Sequence, residues 1–241
     1  MWGEGPASCG DGADVKPPLC VLSVAEHAGW AHVVCVGERN NVPTVLGRRR
    51  VTLIDPDLPT QPYHHEATAL TDDEANALIA RVRRSIERCA TDALQRLVTE
   101  LAPTQAIIAL AIRRPPFDEL PETYTPVRES YRLMCAADGM LYQLAICRAA
   151  RQLELDVQMC RRGQERSLAA KQLGVTVDRA DEFVSRSGRP SGPPWTEEHR
   201  RAYAAGISAL GSHVRLRLQN GGTRGLQNGR IAELQKGKTG K

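Results

Sequence analysis

The order of apolar runs between residues 19 and 160 constrains the fold of this chain more than any other feature. Leu19 to about Val24 is a continuous apolar run, Trp30 to Val36 is a second, and Val42 to Ile54 is a third. Glu26-His27-Ala28-Gly29 makes a tight turn between the first two, and Asn40-Asn41 is a turn pair just before the third. Asn tolerates positive φ, which suits a tight turn. Links this short join only antiparallel neighbours, so the three runs form a meander. Gly47 is a candidate bulge in the third strand, and the topology leaves that strand at an edge of the sheet.

The pattern then changes period. Asp55-Pro56-Asp57-Leu58-Pro59 stops the third strand. Thr71 with Glu74 three residues on is a capping box that opens a helix. Ala75, Leu78, Ile79, Val82, Ile86, Cys89, Ala93, Leu97 and Leu101 recur at three- and four-residue steps, one apolar stripe over about eight turns. Pro103 closes it. Ala106-Ile107-Ile108-Ala109-Leu110-Ala111-Ile112 has no polar member, and a strand apolar on both faces belongs inside a covered sheet. A Pro- and acid-rich loop follows. A second helix runs from near Arg128 to Leu153, with a break expected at Gly139, and Leu155 to Met159 is a last short strand. Residues 164–211 read as three helices: one ending at Gly174, one starting at Asp178, and one introduced by Trp195 and Thr196 and stopping at Gly211.

These elements make a single domain over 19–211, an α/β unit with a mixed five-stranded sheet, three strands antiparallel and two parallel. Residues 1–18 and 212–241 lack periodicity and are expected to be disordered tails. The second tail repeats Leu-Gln-Asn-Gly at 218 and 226 and Leu-Gln-Lys-Gly at 234. It carries seven bases, among them Arg215 and Arg217, against the single Glu233. The chain's net charge of +4 therefore resolves into +6 on the tail and −2 on the body. The basic character belongs to the tail and not to the folded surface. No apolar run approaches the roughly 20 residues needed to span a bilayer, and the first residues do not read as a secretory signal. A cytoplasmic protein with no membrane partner is expected. The seven cysteines show no CxxC spacing and read as reduced thiols that act as small hydrophobes.

Three antiparallel strands, a helix, a parallel strand, a helix, a further parallel strand and terminal helices is the order of the ribonuclease H-like superfamily. The chain resembles its RuvC-type resolvase branch, on the layout of Val21-Leu22-Ser23-Val24 leading into Trp30-Ala31-His32-Val33-Val34. It is also similar to a bacterial group with a degenerate acid set. That group shares Pro62-Tyr63-His64 after the third strand and Gly192-Pro193-Pro194-Trp195 before the last helix.

The resemblance implies several carboxylates holding two divalent ions, Mg²⁺ or Mn²⁺, that cleave a phosphodiester. One acid should project from the end of the first strand, where this chain has Ala25 followed by Glu26. Alternation aims Glu26 at the opposite face. Another should close the fourth strand, where Arg113 and Arg114 stand, with Asp118 beyond two prolines. Glu197 or Glu198 supplies an acid on the last helix. Glu26, Glu198 and Asp118 are therefore the candidate catalytic set. Arg48, Arg50, Arg113, Arg114, Arg215 and Arg217 are the candidate nucleic-acid contacts, although Arg48-Arg49-Arg50 also suit protection of an exposed edge. His64-His65-Glu66 reads as loop, His32 as a sheet histidine, and Trp195 as an anchor for the last helix. The leading expectation is a non-catalytic module that associates with nucleic acid or serves as a scaffold. A metal-dependent nuclease and an interaction protein, a homodimer through the long helix or the third-strand edge, are the alternatives.

Overall fold

The computed structural model describes residues 17–188 and 192–212. The calls on residues 1–16, on Cys9, on Arg215 and Arg217 and on the tail repeat lie outside the described residues. The meander forms as expected: β1 (Leu19–His27), β2 (Trp30–Arg39) and β3 (Val42–Thr52). Asn40 and Asn41 both take positive φ, 52° and 61°, in the β2–β3 turn. Cys35 pairs with Gly47 and Val36 with Val45, so Leu46 is the extra residue of a bulge beside the glycine. Then come α1 (Asp72–Leu101), β4 (Ala106–Arg113), a single turn α2 (Thr125–Arg128), α3 (Tyr131–Gln152) and β5 (Asp156–Cys160). Helices α4 (Glu165–Leu173), α5 (Val177–Ser187) and α6 (residues 197–212) complete the described chain.

The sheet order is β3-β2-β1-β4-β5. The first three strands are mutually antiparallel, while β4 and β5 run parallel to β1 and to each other. This is the ribonuclease H-like arrangement. β4 lies inside the sheet, as its unbroken apolar run requires, and β3 is an edge.

Each face of the sheet has its own core. Cys20, Leu22, Val24, Val33 and Cys35 pack with α1 and α3, while Val21, Val34, Val36, Ala109 and Ala111 pack with α4, α5 and α6. Strict alternation along β1 and β2 produces this split. The α1 stripe is buried, and its cap is the expected reciprocal pair: the Thr71 hydroxyl accepts from the Glu74 N–H, and the Glu74 carboxylate accepts from the Thr71 N–H.

Four expectations are corrected. β1 continues to His27, so Glu26 and His27 belong to the strand and only Ala28-Gly29 turn. The interruption of the second helical stretch falls at 129–130, where Ser130 caps α3, and α3 passes through Gly139 unbroken. Cys20 and Cys35, with Cα atoms 6.4 Å apart on β1 and β2, are joined as a disulfide. Their spacing in the sequence hides a contact that only the strand register creates. Cys89, Cys135, Cys147 and Cys160 are free thiols. Arg48, read as a phosphate contact, instead donates to the backbone carbonyls of Gly192 (2.8 Å) and Pro194, and so ties β3 to the segment before α6.

Candidate functional site

β1 and β4 pair only as far as Ser23 and Ala111. Beyond that point β4 keeps pairing with β5 to Arg113, while β1 runs on with β2 to His27, so the two central strands part. The gap between them is a cleft of about 260 Å³ closed by α4 and α6. Crevices at the carboxyl ends of parallel strands are the usual ligand sites of α/β sheets.

The residues of this cleft are of both charges. Glu26, Glu165 and Glu198 line it, and so do Arg113, Arg162 and Arg201. Because β1 does not stop at Val24, alternation returns Glu26 to the α3 side while Ala25 packs toward α6. There a single carboxylate oxygen, Oε1, accepts from Nη2 of Arg113 at 2.6 Å and from Nε2 of Gln143 at 2.7 Å. The Glu26 side chain is only 5% exposed. Arg113 can stand there because it is the last residue of β4, one position beyond buried Ile112.

Glu198 reaches the cleft from the first turn of α6. Its carboxyl is held below the usual range, first by the backbone N–H of its own position, with Thr196, His27 and Arg201 adding to the effect. Glu165 is the acid that sequence reasoning missed. It opens α4 five residues after β5 ends, and an acid opening a helix just past a strand end is the signal that would have found it. Asp118 is not in this cleft. It borders a second, wider crevice of about 710 Å³, where it faces Arg114 at 3.4 Å, with Arg113, Arg161, Arg162 and Phe117 around it. The expected acids are thus divided: Glu26 and Glu198 share a cleft, and Asp118 does not join them.

A divalent ion does not fit this set. Glu26 is already neutralised by Arg113, and a guanidinium keeps its charge at every accessible pH. Among the described residues no three His, Cys, Asp or Glu side chains are placed to hold a metal together.

The remaining candidates have structural partners. Arg50 lies over the Trp30 ring, 4.3 Å from its centroid, and Arg49 pairs with Glu100 at 2.6 Å. His32 packs against His199 with the rings tilted and centroids 3.9 Å apart, and His27 stacks on Trp30 at 4.1 Å. Burial, with His32 and Arg48 nearby, holds His199 down to about 4, and His32 is lowered for similar reasons. The Trp195 indole N–H donates to the Val184 carbonyl at 3.0 Å, which anchors the start of α6 on α5. His64 is held at 2.5 Å from Asp138, whose carboxylate also accepts the backbone N–H groups of Tyr63 and His64. The Pro62-Tyr63-His64 segment is therefore a clamp onto α3.

No family model matches the chain, and no curated relative does either. Among solved structures it is similar to Thermus thermophilus RuvC in complex with a Holliday junction substrate, at 13% identity and a TM-score of 0.45 over 81% of this chain and 96% of that one. A second structure of T. thermophilus RuvC matches over the same shares at 15% identity and a TM-score of 0.42. A Ppx/GppA family member of Aquifex aeolicus matches at 9% identity and a TM-score of 0.31, over 65% of this chain and 40% of that one. Strand order and direction, β3-β2-β1-β4-β5 with β1, β4 and β5 parallel, define the fold independently of these likenesses.

Proposed function

We propose that this chain is a ribonuclease H-like module that binds nucleic acid without metal-dependent cleavage. The observation that carries the reading is the charge at the strand-end crevices. Where the resemblance calls for carboxylates at the end of β4, Arg113 and Arg114 stand, and Arg161 and Arg162 join them just past β5. Guanidinium groups match phosphate geometry and hold it by paired, charge-assisted hydrogen bonds. The exposed Arg114–Asp118 contact is too weak to withhold Arg114 from a phosphate. Phe117 on the same rim offers a ring on which an unpaired base stacks. The tail bases, Arg215 and Arg217 included, add sequence-independent attraction that falls with salt.

Fluorescence anisotropy with labelled single-stranded, duplex and branched DNA, over a series of salt concentrations, tests the reading. The Arg161→Glu/Arg162→Glu variant is expected to weaken binding at least about tenfold and to flatten the salt dependence. Truncation after residue 211 gives a smaller loss. Equal, negligible binding by the parent chain and both variants rejects the nucleic-acid role and leaves the scaffold or homodimer reading.

One observation favours the runner-up, a nuclease using Mg²⁺ or Mn²⁺: Glu26, Glu165 and Glu198 share one cleft. Cleavage of any of these substrates by the parent chain, lost in Glu26→Gln/Glu198→Gln, would establish that activity in place of the binding-only reading.

A further inference from the structure

The second crevice, of about 710 Å³, is lined from α3 by Gln143, a residue only 2% exposed. The orientation of its amide is fixed. Its Nε2 lies 2.7 Å from Oε1 of Glu26, and a carboxylate only accepts, so the amide nitrogen is the group that faces Glu26. Flipping the amide would set its carbonyl against that carboxylate. The carbonyl oxygen of Gln143 therefore occupies the other limb of the amide, where it is buried and meets no donor among the described residues. A buried acceptor without a partner is costly and rare in a folded protein, and it points to a donor supplied by a ligand.

The surroundings match one kind of donor. Gly139 and Ala136 precede Gln143 by one and two turns on the same face of α3 and line the crevice with it. Both are small, and a Cβ on Gly139 would meet nothing within 4 Å, so the approach along this wall is open to a flat group. Phe117, 49% exposed, stands on the rim, and Arg114, Arg161 and Arg162 add exposed guanidinium groups. A ring for stacking, cations for phosphate and one neutral acceptor are the counterparts of a nucleotide whose base carries an N–H donor. Resting on the nucleic-acid reading above, we infer that Gln143 reads the base of one unpaired nucleotide in this crevice. Its Oε1 accepts from the exocyclic amino group of adenine, cytosine or guanine, while Phe117 stacks the ring and the arginines hold the phosphate. Thymine is disfavoured: it has no amino group, and its single N3–H lies between two carbonyl oxygens that would crowd the Gln143 oxygen. The arginines then supply affinity without regard to sequence, and Gln143 supplies the choice of base. A base that brings no donor leaves the buried oxygen unpaired, which is how a polar site rejects an analogue.

Fluorescence anisotropy at one low salt concentration tests this with single-stranded homo-oligomers of dA, dC and dT, and with a dA oligomer in which purine, adenine without its amino group, replaces every base. The parent chain is expected to bind dA and dC at least about fivefold more tightly than dT, and to lose a similar factor when adenine becomes purine. Gln143→Leu, of similar bulk but without the amide, should erase both differences. The adenine–purine comparison uses the parent chain alone, and so decides the matter if Gln143→Leu does not fold. Equal affinity for the adenine and purine oligomers, with binding still weakened in Arg161→Glu/Arg162→Glu, overturns the inference and leaves the nucleic-acid reading standing. A base preference that survives in folded Gln143→Leu also overturns it. Binding of no oligomer at all removes the inference together with the reading it rests on.

Discussion

The two faces of the sheet are built to different ends. On the α1/α3 face the filling is large: Leu22, Ile86, Tyr63, Tyr124, Tyr142 and Ile146 are all buried. On the other face α6 buries Tyr203, Ile207 and Leu210 as well, but intersperses them with Ala202, Ala204, Ala205 and Ala209 around Gly206. Large side chains hold helices off the sheet and give most of the apolar burial. Small ones let a helix backbone settle onto it: the Ser23 hydroxyl donates to the Ala202 carbonyl across this interface. The first face therefore stabilises the domain. The second brings α6, with Glu198, close enough to β1 and β4 to make a cleft. The cleft lies where the layer of small side chains ends, not where the core is thickest.

The bulky face depends on polar closure at its margin, and that is where the largest effect is expected. Asp138 is 2% exposed and satisfies two backbone N–H groups and the His64 ring of the 55–70 connection. Burial pushes its carboxyl above the usual range, while His64 and the two N–H groups pull it back. Asp138→Ala leaves those donors buried without an acceptor and should cost about 3 kcal/mol in urea unfolding. A loss below about 1 kcal/mol would mean that the large apolar side chains alone seal this face.

The thin face carries a pH dependence of its own. His199 and His32 pack ring against ring between α6 and β2, with His27, Arg48, Arg50 and Glu198 as the charged or titratable groups around them. Both imidazoles are lowered from 6.5, His199 to about 4, so the folded state binds fewer protons than the unfolded one. Stability is then complete above the unfolded value and declines as pH falls through the window from 6.5 toward 4. The loss should be on the order of 2 kcal/mol by about pH 5. Chemical unfolding at a series of pH values reads it, and His199→Phe should flatten that limb.

Much of this was legible in the sequence. The meander, the capping box at Thr71, the covered strand Ala106–Ile112 and the αL glycine closing α4 (Gly174, φ 69°) each rest on a local rule, and local rules survive folding. What was not legible depended on register and on ends. Alternation along β1 correctly set Glu26 on the face opposite Ala25, but the extension of the strand to His27 and the pairing with Arg113 were not foreseen. Arg48 has an ordinary edge-strand pattern, and nothing in its neighbourhood announces that it grips carbonyls some 144 residues away. Glu165 stands in an unremarkable helix start and gains meaning only because β5 delivers that helix to the cleft. The disulfide needed the β1–β2 register, which no cysteine count supplies.

Two glycines in mid-helix sharpen the contrast between the faces with smaller effects of opposite sign. A Cβ on Gly206 would lie 2.5 Å from Cγ2 of Val36 and 3.1 Å from Cβ of Ser23, both fully buried on the sheet. Overpacking of about 1–3 kcal/mol then outweighs the roughly 1 kcal/mol of helix propensity that alanine adds, so Gly206→Ala should destabilise by about 1 kcal/mol. It should also push α6 outward and widen the cleft.

Gly139 is the reverse case. It lies inside α3 at the wall of the second crevice, and a Cβ there would meet nothing within 4 Å. With no steric opposition, only backbone entropy and propensity remain, and both favour alanine in a helix interior. Gly139→Ala should stabilise the domain by about 0.5–1 kcal/mol in thermal or urea unfolding. Because the added methyl lines the arginine-rimmed crevice without touching a guanidinium, DNA affinity should stay within about twofold of the parent. A stabilised variant that loses affinity would show that the crevice needs the glycine's open wall for its ligand, and would place the ligand against α3 and not only against the β4 and β5 ends.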